Sequence, residues 1–153
     1  MAKKKNPFHY EKSSDSTGFL LWQVHNLWQR EVRKQLIDLD LTHTQFVILA
    51  NAYWLDLKEQ LVSQTAIARH AKVDVMMTSN ILRTLEKKGL LTRKEHQTDT
   101  RAKLVELTDL GMKVLGKAVE EVESFDMAFF SKLKNTSEFN KELLRLLDID
   151  NML

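Results

Sequence analysis

The sequence predicts a mainly α-helical chain: a winged helix-turn-helix with a small β-hairpin wing, flanked by long N- and C-terminal helices. Three observations carry that prediction. From Ser63 to Leu107, two short helical patterns run into a glycine stop and then into two short strand-like runs joined by a polar turn. Long apolar stripes at three- and four-residue steps precede and follow this stretch. Glycine is rare, with four in 153 residues, and the one proline, Pro7, lies ahead of the first pattern.

Taken in order, residues 1–16 are polar and begin Met1-Ala2-Lys3-Lys4-Lys5, a flexible basic tail without the apolar stretch of a signal peptide. A long helix is expected over about 17–39, with Leu21, Val24, Trp28, Val32, Leu36 and Leu39 on one face. Thr42 and Gln45 form a capping box for a second helix, whose face is read as Phe46, Leu49, Ala50, Tyr53 and Leu57. Ser63 caps a third short helix with Ile67, Ala68 and Ala71 inward, and Lys72-Val73 makes the turn. Asp74 caps a fourth, from about 75 to 88, with Thr78, Ile81, Leu82 and Leu85 facing the core. Gly89 followed by Leu90 is the expected left-handed stop with its hydrophobic contact. Strand-compatible runs at 90–93 and 103–107 flank the turn His96-Gln97-Thr98-Asp99-Thr100. Thr108 caps a helix running to about 134, with Leu110, Val114, Ala118, Val122, Phe125, Phe129 and Leu133 as its stripe. Asn135-Thr136-Ser137 breaks it, and a final helix carries Phe139, Leu143, Leu144 and Leu147.

Composition narrows the function. No run of about 18 apolar residues suggests a membrane span, and a cytoplasmic protein is expected. Cysteine is absent, which removes disulfides, thiol sensing and thiolate metal sites. The five histidines show no pair at metal-ligand spacing, and no phosphate loop, nucleophile elbow or zinc-protease motif occurs. No enzyme, metal or cofactor is therefore expected. The net charge of +2 is uninformative, but residues 64–103 hold nine Lys and Arg against four Asp and Glu, whereas residues 104–153 hold six against ten. Such a bias alone is more often a solvated basic face. Coinciding with a helix-turn-helix pattern, it favours phosphate contact.

The run LEKKGLLTRKEHQTDTRAKLVELTDLG resembles the signature stretch of the MarR family (multiple antibiotic resistance regulators). It has Leu85-Glu86 and Gly89-Leu90 at the end of the recognition helix, Asp99 and Arg101 at the wing tip, and Leu107-Thr108 with Gly111 after the second strand. With the flanking helices the resemblance covers nearly the whole chain. It implies a homodimeric transcriptional regulator, usually a repressor, often released from DNA by a small molecule. The residues agree, because terminal helices with long apolar stripes find little to pack against beside so small a winged unit. The expected organisation is dimerisation helices at 17–40 and 108–153 around a DNA-binding lobe at 41–107, reading a roughly palindromic double-stranded site.

The expected DNA face of the fourth helix comprises Val75, Met77, Ser79, Asn80, Arg83, Thr84 and Lys87. Asn80 suits adenine, and Arg83 suits guanine or phosphate. Val75, Met76 and Met77 depart from the small polar or basic residues commoner in the family, and Met76 is read equally as core filler or groove contact. Arg101 is the strongest single candidate, a long cation for the minor groove, with Asp99 holding it forward as the resemblance implies. Lys103, Arg69, Lys72, Lys94 and His96 are further phosphate candidates. A small aromatic or amphipathic effector is expected near Trp22, Trp28 and Trp54, with His25 or Arg30 as polar contact, although ordinary core packing is the commoner use of any one tryptophan. The competing class is a winged-helix protein-interaction scaffold, which needs neither Arg101 nor the basic concentration around it.

Overall fold

A computed structural model describes residues 6–58, 62–95 and 103–147. The helices are α1 (Thr17–Leu36), α2 (His43–Leu57), α3 (Gln64–Ala71), α4 (Val75–Lys87), α5 (Asp109–Phe130) and α6 (Thr136–Leu147). One antiparallel pair, β1 (Leu91–Glu95) and β2 (Lys103–Leu107), lies between α4 and α5, in the register Leu91 with Leu107, Arg93 with Val105 and Glu95 with Lys103. A 3-10 turn at Ile37–Leu39 follows α1, where the sequence suggested continuous helix. It ends at Asp40 in the left-handed region (φ 51°).

The caps act as their residue types dictate. The Oγ atoms of Ser16 and Ser63, and Oδ1 of Asp74, accept from the backbone N–H three residues on, at 3.3, 3.1 and 2.9 Å. Thr42 and Gln45 close a reciprocal capping box, each side chain accepting the other's backbone N–H at 3.2 Å. Gly89 ends α4 at φ 73°, and the Leu90 N–H returns to the Leu85 carbonyl at 3.0 Å, the six-to-one bond of a Schellman stop. Lys72 ends α3 in the same left-handed conformation, with Val73 N–H on the Ala68 carbonyl.

One core joins the elements. Val32 and Leu36 of α1, Ile48, Leu49, Ala52 and Leu55 of α2, Ile67 of α3, Leu82 and Leu85 of α4, Leu91 and Val105 of the hairpin, and Leu115, Ala118 and Val122 of α5 are all buried. Ile81 packs against it partly buried, while Thr78 is fully buried and donates its hydroxyl to the Asp74 carbonyl at 2.9 Å. Two expected faces are corrected. The core side of α2 is Ile48, Leu49, Ala52 and Leu55, while Phe46, Ala50 and Tyr53 are only partly buried and Leu57 is exposed. α2 is apolar on two sides because it lies between α3 and α4 on one hand and α5 on the other. In α5 the inward residues are Gly111, Leu115, Ala118 and Val122, and Leu110 is exposed.

The α5 shift has a steric cause. A Cβ on Gly111 would lie 1.8 Å from the carbonyl oxygen of Leu90, so the first turn of α5 rests directly on that backbone. Thr108 completes the junction: its N–H donates to the Leu90 carbonyl at 3.1 Å, its hydroxyl donates to Gly89 at 2.6 Å, and the same oxygen accepts from Gly111 N–H at 3.0 Å. A third segment also joins the wing, which sequence periodicity did not show. The Val105 N–H donates to the Val62 carbonyl at 2.8 Å, and Ser63 bridges Leu104. Gly111→Ala should cost about 1–3 kcal/mol through this overpacking. Gly116→Ala, whose Cβ would meet nothing within 4 Å inside the chain, should gain up to about 1 kcal/mol of helix propensity. Urea denaturation of the two variants checks the contrast, and equal stabilities would remove the steric account.

Candidate nucleic-acid interface

Burial of Thr78, Leu82 and Leu85 turns the opposite side of α4 to solvent. Val75, Met77, Asn80, Arg83, Thr84 and Lys87 are exposed there, and Ser79 is half-buried. Met76 is 73% exposed, which decides against its use as core filler: it precedes the buried Thr78 by two positions and so points away from the core. Arg83 Nη1 donates to Asn80 Oδ1 at 3.0 Å, so the two expected base-reading side chains form one fork in the free protein. Arg69, Lys72, Lys94 and Lys103 are exposed on the flanking α3 and hairpin, and Lys94 pairs with Glu106 at 3.0 Å. Arg101, Asp99 and His96 lie outside the described residues.

What holds the wing against α4 is an ion pair that sequence reading missed. Arg93 donates to Glu86 three times: backbone N–H to Oε1 at 3.1 Å, Nε to Oε2 at 2.9 Å and Nη2 to Oε2 at 2.6 Å. The Arg93 side chain is 12% exposed, so this contact is better shielded from water than an ordinary surface pair. The guanidinium hydrogen bonds hold the Glu86 carboxyl below the usual carboxylate range. The sequence signal was present as opposite charges seven residues apart across a helix, a glycine turn and a strand. A second contact, also unforeseen, lies on the other side of the helix end. The Lys88 ammonium meets the Asp40 carbonyl, the Asp40 carboxylate at 3.1 Å and Gln45 Oε1 at 3.3 Å.

The geometry is that of a helix-turn-helix with an attached wing, and comparison with known proteins agrees. The MarR family profile matches residues 41–103. The chain is 39% identical over 132 residues to the HTH-type transcriptional regulator YdcH of Bacillus subtilis, spanning 86% of this chain and 90% of that one. The chain belongs to the MarR family. Its fold is also that of CouR from Rhodococcus jostii RHA1 bound to p-coumaroyl-CoA, at a TM-score of 0.77 and 25% identity over 92% of this chain and 95% of that one. A Staphylococcus aureus MepR–DNA complex shares the fold at a TM-score of 0.76 and 20% identity, covering 93% and 100% of the two chains. As a MarR-family member the protein is a transcriptional regulator, and no helix among the described residues is long and apolar enough to cross a membrane.

Within one chain the expected effector residues of this MarR-family regulator do not converge. Trp22 is 64% exposed, in a shallow groove with Gln23, Asn26, Leu27 and Arg30. Trp54 lines a different groove, of about 420 Å³, with Phe46, Tyr53, Leu57, His70, Leu115 and Val119. His70 Nδ1 lies at hydrogen-bonding distance from the Asn51 side-chain oxygen there. Trp28 is partly buried: its Nε1–H donates to Asp126 Oδ1 at 2.7 Å and its ring meets His43 edge-on at 5.0 Å. His25 is exposed beside it, ring centroids 6.4 Å apart.

Burial is the main cause lowering the His43 pKa, opposed by Asp126 and assisted by His25 and Arg33. A depressed folded value means the unfolded chain takes up the proton first. The stability contribution is therefore complete above the ordinary value of 6.5 and is lost as pH falls below it toward the folded value. Denaturation between about pH 7.5 and 5.5 should cost wild type more stability than His43→Gln. Parallel losses in the two proteins would remove His43 as the cause.

Proposed function

We propose that this regulator acts in the cytoplasm, without enzymatic activity, as a homodimeric repressor that binds a roughly palindromic double-stranded DNA site and is released by a small effector. The observation that carries it is the solvent face of α4. Asn80, Arg83, Thr84 and Lys87 stand together there beside Val75 and Met77, flanked by the exposed cations of α3 and the hairpin. Polar edges suit bases, the apolar residues suit thymine methyls, and the flanking cations suit phosphates. The MepR relative, solved with DNA, supports the docking mode.

Dimerisation is supported by apolar surface that this chain leaves uncovered. Phe19, Leu20, Leu21, Trp22, Val24 and Leu27 on the N-terminal half of α1 are 42–64% exposed. α6 buries none of its residues, although Leu144, Leu146 and Leu147 are apolar. A second copy covering both helices removes this surface from water. The proposed division is a tail at 1–16, dimerisation helices at 17–40 and 108–153, and the DNA-binding lobe at 41–107.

The titration that tests this reading uses a duplex selected from random sequence. It should saturate at two chains per site with a strongly negative log–log salt slope. Arg101→Ala should weaken binding by about an order of magnitude without unfolding the protein, and Asn80→Ala should change base preference within the half-site. Affinity and preference untouched by both, or a slope near zero, would leave a scaffold as the better reading.

The groove between α2, α3 and α5 is the effector site we propose, because it joins aromatic walls of the lobe to α5. The CouR relative, solved with an aromatic acyl-CoA, supports an aromatic ligand. Phenolic and aromatic probes should quench fluorescence from Trp54 but not in Trp54→Phe, and should lower DNA affinity about 5- to 150-fold. Quenching that leaves the DNA titration unmoved would return the groove to ordinary packing.

A further inference from the structure

We infer that Lys88 is a positioning residue: it ties the recognition helix to the end of the first dimerisation helix and so sets the separation at which two copies read their half-sites. This rests on the paired-half-site reading above. Lys87 and Lys88 are adjacent and chemically identical, yet they are placed oppositely. Lys87 is exposed on α4, as a phosphate contact requires. Lys88 turns inward with its side chain 26% exposed, and its ammonium faces acceptors of the protein itself.

Those acceptors belong to two other elements. Asp40 supplies its carbonyl and, at 3.1 Å, its carboxylate; it is the left-handed residue that terminates the turn after α1. Gln45 Oε1, at 3.3 Å, is the same oxygen that accepts Thr42 N–H in the capping box starting α2. An ammonium has three N–H donors, and three protein oxygens surround this one. The Asp40 carbonyl lies at the C-terminal, negative end of the α1 extension, and Lys88 itself caps the negative end of α4. One cation therefore joins the ends of two helices that would otherwise repel, and adds the start of a third.

The consequence is geometric. Two recognition helices must enter successive major grooves about 34 Å apart. Each lobe reaches the first of its dimerisation helices, α1, through the turn at residues 37–42, where a short 3-10 segment and a left-handed residue break the regular helix. A tether from α4 across that turn restricts rotation of the recognition helix about it. Because Asp40 is 90% exposed, the contact adds little to folding stability, so its removal should change geometry and spare the fold.

The test measures spacing tolerance. Wild type, Lys88→Met, Lys88→Arg and Asp40→Asn are titrated against the selected operator and against versions with one base pair inserted or deleted at its centre, at several salt concentrations. Wild type should lose about tenfold or more on the altered spacings. Lys88→Met should bind the parent operator several-fold more weakly, keep the wild-type salt slope and half-site base preference, and lose most of the spacing penalty. Lys88→Arg should restore that penalty, and Asp40→Asn, which keeps the carbonyl and the left-handed turn, should fall between. An unchanged spacing penalty in Lys88→Met overturns the inference. So does a salt slope shallower by about one, since Lys88 would then touch phosphate directly. Should Lys88→Met fail to fold, the Asp40→Asn penalty decides in the same way. A wild type indifferent to spacing overturns the paired half-site reading itself, and the positioning role with it.

Discussion

The structure depends on the contact between Gly111 and the backbone of Leu90. With no side chain at Gly111, the first turn of α5 lies directly on the Leu90 carbonyl, and Thr108 bonds the same two-residue turn from above. The end of the recognition helix, the base of the wing and the start of the long C-terminal helix thus meet at one rigid point. The shared motif of a Gly-Leu stop followed by Leu-Thr-x-x-Gly describes two halves of one joint, brought together by the hairpin between them.

Around that joint, the end of α4 is held from two sides by charge. Glu86 fixes the first strand of the wing through three hydrogen bonds from Arg93, and Lys88 reaches the turn after α1. The two contacts differ in shielding. Arg93 is largely withdrawn from water and gives Glu86 three hydrogen bonds, which adds direction to the hairpin already joined at its base. Asp40 is open to solvent, so its bond to Lys88 directs geometry more than it adds stability. The recognition helix is thus held closely to its wing and to the start of α5, and more loosely, through an exposed carboxylate, to the turn after α1.

α2 has a second role that follows from its composition. It is apolar on two sides, which blurs any single amphipathic face. Ile48, Leu49, Ala52 and Leu55 fill the core, while Phe46, Tyr53 and Trp54 are left to line the groove facing α5. Of the residues first read as the core face, Leu49 is core, while Phe46, Ala50, Tyr53 and Leu57 line the groove. Trp28 joins α1 to α5 through Asp126 and meets His43 at the start of α2, which makes it a structural residue of the same junction.

The order of elements, the caps at Thr42, Ser63, Asp74 and Thr108 and the outward face of α4 were legible in the sequence, because each depends on contacts within a few residues. Ser63, Asp74 and Thr108 cap their own helices, Gly89 supplies the left-handed stop after α4, and the spacing of Thr78, Leu82 and Leu85 turns Asn80 and Arg83 outward. Tertiary structure decided what is separated along the chain. The inward register of α5 depends on Gly111 meeting Leu90. The choice between the two apolar sides of α2 depends on which neighbours pack there, and the dispersal of the three tryptophans depends on how α1, α2 and α5 cross. The partners of Glu86 and Lys88 depend on the chain returning across the hairpin and the turn after α1. Local hydrogen bonding specifies elements one at a time, whereas packing and charge pairing between them are fixed only when all are in place.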